Sequence, residues 1–108
     1  MITWNDFEKI DIRTGTIIGV EEFPQAIKPA YKLTIDFGEI GIKRSSAQIT
    51  TLYTPQSLIG MTVLGVVNFP PKKIANFWSE CLVLGVHTNT GVVLLTTQAD
   101  TENGLRIC

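Results

Sequence analysis

The sequence predicts an all-β fold, a small barrel of five strands, and three observations carry that expectation. Segments with strand patterning recur about every ten residues from Thr14 to Thr96, the rhythm of a compact β domain. One of them alternates without a break, with Tyr31, Leu33, Ile35 and Phe37 on one face and Lys32, Thr34 and Asp36 on the other. The whole chain has 108 residues, enough for one domain with one core.

Each element has its own reason. Thr3 followed by Asp6 is a capping-box pattern, and Trp4, Phe7 and Ile10 fall at helical spacing, so a short helix is expected from about Trp4 to Ile10. Thr14 to Phe23 is a long β run whose Gly15 and Gly19 let a strand bend round a barrel corner. After the second strand, Gly38-Glu39 turns the chain into Ile40 and Ile42, which alternate with Gly41 and Lys43 and complete a hairpin. Ala47 to Ile59 is irregular, with Pro55 in its middle, and suits a short helix and a loop. Val63 to Phe69 is a strand stopped by Pro70-Pro71, which cannot donate to a ladder. Glu80 to Val86 and Val92 to Thr96 are two more. Three strands, a helix and two strands is the order of an OB-fold barrel, and Val92 onward then forms a C-terminal β extension outside it.

Composition excludes several classes. With 44% hydrophobic and 18% charged residues the chain is neither disordered nor fibrous. Met1 to Asp6 has neither a basic start nor an apolar run, so no secretory signal is expected. The longest nearly apolar stretch, Met61 to Val67, is far shorter than the ~20 residues of a membrane-spanning helix. A cytoplasmic protein with no membrane insertion is the expectation. Cys81 and Cys108 lack CxxC spacing and read as free thiols.

The net charge of −1 argues against a strongly basic nucleic-acid binder, but the distribution is uneven. From Ile40 to Ser79 the chain holds Lys43, Arg44, Lys72 and Lys73 and no acidic residue. An OB barrel binds ligands on strands two and three, rimmed by the loops between strands one and two and between four and five. The first loop, Pro24 to Pro29, carries Lys28, and strand two carries Lys32 on its outer side. Strand three ends in Lys43-Arg44-Ser45-Ser46. The second loop, Phe69 to Ser79, carries Lys72, Lys73, Phe77 and Trp78. Cations so grouped suit phosphates, whose neutralisation releases counterions, and aromatics beside them can stack on unpaired bases. The alternative is that these lysines are solvated decoration and that Phe77 and Trp78 plug the barrel end, a role that suits Phe77 best.

Catalytic chemistry is missing. His87 is the only histidine, and it lies six residues from Cys81, about 20 Å along an extended strand at ~3.3 Å per residue. No metal-ligand spacing, GxGxxG or Walker pattern occurs, so neither an enzyme nor a cofactor is expected. Gly38-Glu39-Ile40-Gly41 matches the GxxG of a KH loop only as a string; between strands it reads as a tight hairpin.

Five segments carry a resemblance: Asp11–Ile17, Lys32–Gly38, Lys43–Thr50, Asn68–Ala75 and Ser79–Gly85. In that order, over nearly the whole chain, they resemble the CsaA family, a branch of the tRNA-binding OB domains also appended to methionyl- and phenylalanyl-tRNA synthetases. The resemblance implies a homodimer, joined through the N-terminal helix and C-terminal tail. It implies binding of tRNA or other structured RNA, and a chaperone role toward unfolded preproteins in protein export. The family's RNA-contacting motif maps onto Asn68, Lys72, Lys73, Ser79 and Glu80, with Lys43, Arg44, Ser45 and Gln48 beside it. Asn76 stands where the family usually has glycine, and Trp78 where it often has a cation. Two functions follow as expectations: RNA binding through the basic face, or peptide binding on an apolar surface built from Phe69, Phe77 and Trp78.

Overall fold

A computed structural model describes residues 1–108 and has the expected all-β architecture. The N-terminal helix α1 spans Trp4–Glu8 and is closed by the expected capping box: Asp6 N donates to Thr3 Oγ1 and Thr3 N to Asp6 Oδ2 at 2.9 Å. Those contacts hold the Asp6 carboxyl below its ordinary pKa. The helix stops short of Ile10, where Asn68 Nδ2 donates to the Lys9 carbonyl at 2.8 Å and Asn68 Oδ1 accepts from Asp11 N at 3.0 Å. One side chain thereby turns helix into strand.

Strand β1 (Ile12–Glu22) is the longest and lies at the centre of a five-stranded antiparallel sheet. It begins two residues before the expected Thr14, since Ile12 and Arg13 already pair with the fourth strand. Strand β2 (Tyr31–Asp36) keeps its alternation: Tyr31, Leu33, Ile35 and Phe37 are all buried. A 3-10 turn at Gly38–Ile40, with Gly38 at φ +64°, leads into β3 (Ile42–Ala47). Ile42 turns outward, opposite Asp36, so Lys43, Ser45 and Ala47 share the inner face with Ile35, Leu33 and Tyr31.

Helix α2 (Pro55–Leu58) makes sense of Pro55, which occupies the first turn behind the Thr54 cap and needs no donor there. Leu58 completes the core with Ile17, Leu33, Ile35, Phe37 and Val63, each 0–1% exposed. The Phe37 ring crosses the barrel over Gly15 and Gly65, where an added Cβ would meet it at 2.8 Å. Alanine fits neither position without displacing that ring.

The second half departs from expectation in three ways. Strand β4 (Thr62–Val66) ends before Val67, whose N–H turns to the Asp11 carbonyl. The expected loop from Phe69 to Ser79 contains a hairpin of β5 (Lys72–Ile74) and β6 (Phe77–Ser79). Its two-residue turn puts Ala75 at φ +52°, a left-handed conformation that a sequence without glycine there does not announce. The expected strand Glu80–Val86 splits into β7 (Leu82–Val83), which pairs with β4, and β8 (Gly85–Thr88), which forms a separate hairpin with β9 (Gly91–Leu94).

The five-stranded sheet runs β3-β2-β1-β4-β7 and curls until its edges nearly meet. Glu80 N donates to Arg44 O at 2.7 Å, and Ser45 Oγ donates to Cys81 O at 2.9 Å. The C-terminal tail returns to β1, with Thr14 N on Leu105 O and Ile107 N on Ile12 O. It takes the β1 edge that β2, pairing only from Thr16 onward, leaves free. No helix is long and apolar enough to cross a membrane.

Candidate nucleic-acid interface

Strand pairing decides which side chains share the outer face. Arg44 lies opposite Thr34, Ser46 opposite Lys32, and Lys32 opposite Glu21, so all of these project away from the core. Lys43 projects from the other side of β3 and is not beside Arg44. The two neighbours in sequence therefore serve different surfaces.

The β5–β6 hairpin folds against this face. Phe77 is buried in a small second core with Phe23 and Ala30, and the two phenyl rings meet edge-on at 5.5 Å. Two cations cap that pair. Lys32 Nζ lies 4.8 Å from the Phe23 centroid and 5.5 Å from that of Phe77; the Arg44 guanidinium lies 4.7 Å from Phe77. Phe77 thus serves as core and cation platform and is not a free stacking surface. Trp78 faces the other way, half exposed, directly opposite Lys73.

Two clefts flank the hairpin and meet at Ser46 and Ile74. The first, about 430 Å³, is walled by Phe69, Lys72, Ile74, Ser79, Glu80 and Leu82. The second, about 410 Å³, has Lys28 and Gln48 on its rim and Ala26, Ala30 and Ile74 in its wall. Lys28, Lys32, Lys43, Lys72 and Lys73 form no ion pair; Lys9, Arg13, Arg44 and Arg106 do.

The remaining candidates from the sequence divide sharply by role. Ser45 is buried, and its hydroxyl is committed to the Cys81 carbonyl. Asn68 is exposed, yet both ends of its amide hold the α1–β1 junction. Glu80 Oε1 accepts from Arg44 N at 3.0 Å, and Ser79 Oγ accepts from Ser46 N at 3.2 Å. These two side chains stand in for the strand that β3 lacks at its free edge, which is how the barrel closes. Lys72, Lys73 and Gln48 are exposed and make no side-chain hydrogen bond. Sequence reasoning missed Glu21 and Phe23, whose place on this face depends on the strand register.

Burial pushes the Cys81 thiol up to about 11, so it stays protonated and inert at neutral pH. No three of the His, Cys, Asp and Glu side chains come together as a metal site. The arrangement offers cations, clefts and half-exposed aromatics, a surface for binding.

Comparison with known proteins agrees with that geometry. Residues 12–106 match the family described as "Putative tRNA binding domain". The crystal structure of the CsaA chaperone protein from Picrophilus torridus superposes with a TM-score of 0.95 at 58% identity, over 100% of both chains. That of chaperone CsaA from Bacillus anthracis gives 0.94 at 50% identity, over 100% of this chain and 99% of the other. The methionine–tRNA ligase of Methanocella arvoryzae is 33% identical over 106 residues, which is 98% of this chain but 15% of the ligase. The chain therefore spans about one seventh of such curated relatives.

Proposed function

Because this chain belongs to the CsaA branch of the tRNA-binding domain family, we propose that it is a non-catalytic module that binds tRNA or similarly structured RNA through the outer face of β2, β3 and the β5–β6 hairpin. The observation that carries the reading is a set of cations without carboxylate partners, Lys28, Lys32, Lys72 and Lys73, on β2, the loop before it and the β5–β6 hairpin, with Lys28 and Lys72 lining the two clefts, on a protein of net charge −1. Cations left free beside clefts suit phosphates, which are contacted by charge and not by sequence. Ser45, Ser79 and Glu80 contribute by fixing β3 and the hairpin in place, and Asn68 by holding the α1–β1 junction. Lys43 stands to the side and contributes through its charge alone.

The test is a titration of labelled tRNA by fluorescence anisotropy at about 50 and 200 mM salt, the range across which phosphate-driven binding collapses. Tight binding that weakens steeply with salt supports the proposal. Absence of binding at both concentrations refutes it.

A second reading has its own support. Phe69 is 54% exposed and Trp78 56%, with Leu82 beside Phe69 in the first cleft, an apolar surface that a peptide fits. In this reading the protein holds unfolded preproteins in the cytoplasm for export. It predicts binding of an unfolded polypeptide that survives added salt and is lost in Trp78→Ala. A homodimer completes the proposal, since Trp4, Leu105 and Val86 are exposed apolar residues on the terminal segments and the β8–β9 hairpin. Sedimentation as an 11.9 kDa monomer at micromolar concentration contradicts it.

A further inference from the structure

The contact that stands out on the outer face joins Arg44 to Glu21. Glu21 reaches that face only because β1 carries a bulge at Ile18, where the register with β2 slips between Ile17 and Gly19. Ile17 points inward; without the extra residue Glu21, four positions on, would point inward too. Arg44 sits two strands away, across β2, and its side chain crosses Thr34 and Lys32 to place Nη2 3.1 Å from Glu21 Oε1. Lys32 is the direct cross-strand neighbour of Glu21, yet its ammonium rests on Phe23 and Phe77 instead.

Three features mark the Arg44 guanidinium as poised and only partly satisfied. Its centre lies 4.7 Å from the Phe77 ring centroid, its Nε is buried without any hydrogen-bond partner, and its single anionic contact is a carboxylate 66% exposed to water. An exposed carboxylate holds a cation weakly, and a phosphate, with three or more oxygens and as much or more charge, can take the same guanidinium fork. The lysines of this face form no ion pair.

We infer that Arg44 is a phosphate-binding residue held in reserve by Glu21, which acts as an internal competitor that RNA must displace. The inference rests on the RNA-binding reading and adds to it one competing acid and one switched cation. In the free protein Glu21 occupies the guanidinium. On binding, a phosphate takes its place while the guanidinium stays on Phe77, and the released carboxylate turns to solvent. The competition makes Glu21 a brake on affinity, so that weakly charged ligands leave the pair intact and polyphosphate chains open it.

The test is a double-mutant cycle on the whole protein with labelled tRNA across 50–200 mM salt, comparing wild type, Glu21→Gln, Arg44→Ala and the double variant. Glu21→Gln should bind about three- to tenfold more tightly at low salt, because the competitor is gone. In the Arg44→Ala background the same change should gain less than about twofold. If Arg44→Ala loosens the fold, Arg44→Lys replaces it; lysine keeps the charge without the bidentate fork, so its gain should again be small. An equal gain in both backgrounds means that Glu21 repels RNA from a distance, and no gain in either means that it does not compete; each overturns the reserve role. Absence of salt-dependent binding by wild type refutes the RNA reading itself, and the reserve role with it.

Discussion

Where α1 meets the C-terminal tail, cations and carboxylates are matched: Lys9 with Asp6, and both Arg13 and Arg106 with Asp11. Across the barrel, on the face of β2, β3 and the β5–β6 hairpin, four lysines have no carboxylate and the one arginine leans on an exposed glutamate. The same residue types do opposite work in the two places. Arg13 grips Asp11 at 2.6 Å and donates to Gly104 O at 3.0 Å, so it ties the tail to β1 and has little left for a ligand. Lys72 and Lys73 tie nothing. A cation is informative about binding when its protein partners are missing.

This contrast can be broken or sharpened by experiment. The largest effect is expected at Phe77, which belongs to the free face but carries it structurally. Phe77→Ala should cost about 3–5 kcal/mol in urea denaturation, since it empties the second core and removes the platform under Lys32 and Arg44. A loss below 1 kcal/mol would show that the hairpin is held by something else. Arg13→Ala comes next, at about 2 kcal/mol of stability with tRNA affinity unchanged. A fall in affinity without loss of stability would place RNA at the paired pole and remove the contrast.

Asn68→Ala should cost about 1 kcal/mol, through two lost hydrogen bonds at the α1–β1 junction, and leave RNA affinity within about twofold. The opposite pattern would restore it as a direct contact. The smallest effect concerns the thiols. At pH 8 iodoacetamide should label Cys108 at least about tenfold faster than Cys81, which is buried and protonated. Because the folded value of Cys81 is raised, its contribution to stability is complete below the ordinary value of 9.0 and is lost as pH climbs toward about 11. Alkaline titration with stability rising over that window would contradict its burial.

How much of this was legible in the sequence differs from residue to residue. The face of Lys32 could be read directly, because Tyr31–Phe37 alternates without interruption and its four buried residues, Tyr31, Leu33, Ile35 and Phe37, fix the parity. The Thr3–Asp6 capping box, the hairpin after Phe37 and the order of elements up to β4 follow from local chemistry in the same way. Glu21 could not be read, because the bulge at Ile18 inverts the parity of β1; Gly19 signals a bend there, but not that a residue drops out of the pairing. The β5–β6 hairpin was hidden for a related reason: its turn uses Ala75 in a conformation that glycine would have signalled. Asn68, Ser79 and Glu80 were legible as members of a motif, but their hydrogen bonds within the protein were not. Whether a polar side chain faces a ligand or closes a backbone edge depends on what lies across from it, and Arg44 and Ser46 lie 36 and 33 residues from their partners Glu80 and Ser79.

The most direct test of the central claim is the salt dependence of tRNA affinity in wild type and in the Lys72→Ala/Lys73→Ala variant. Both lysines are exposed and make no ion pair, so their removal should leave the melting curve where it was. The account predicts that affinity falls about tenfold or more at 50 mM salt and that the slope of log K against log salt flattens by about 1–2. An unchanged affinity and slope in a folded variant would contradict it, and would mean that the free cations of this face are not where RNA binds.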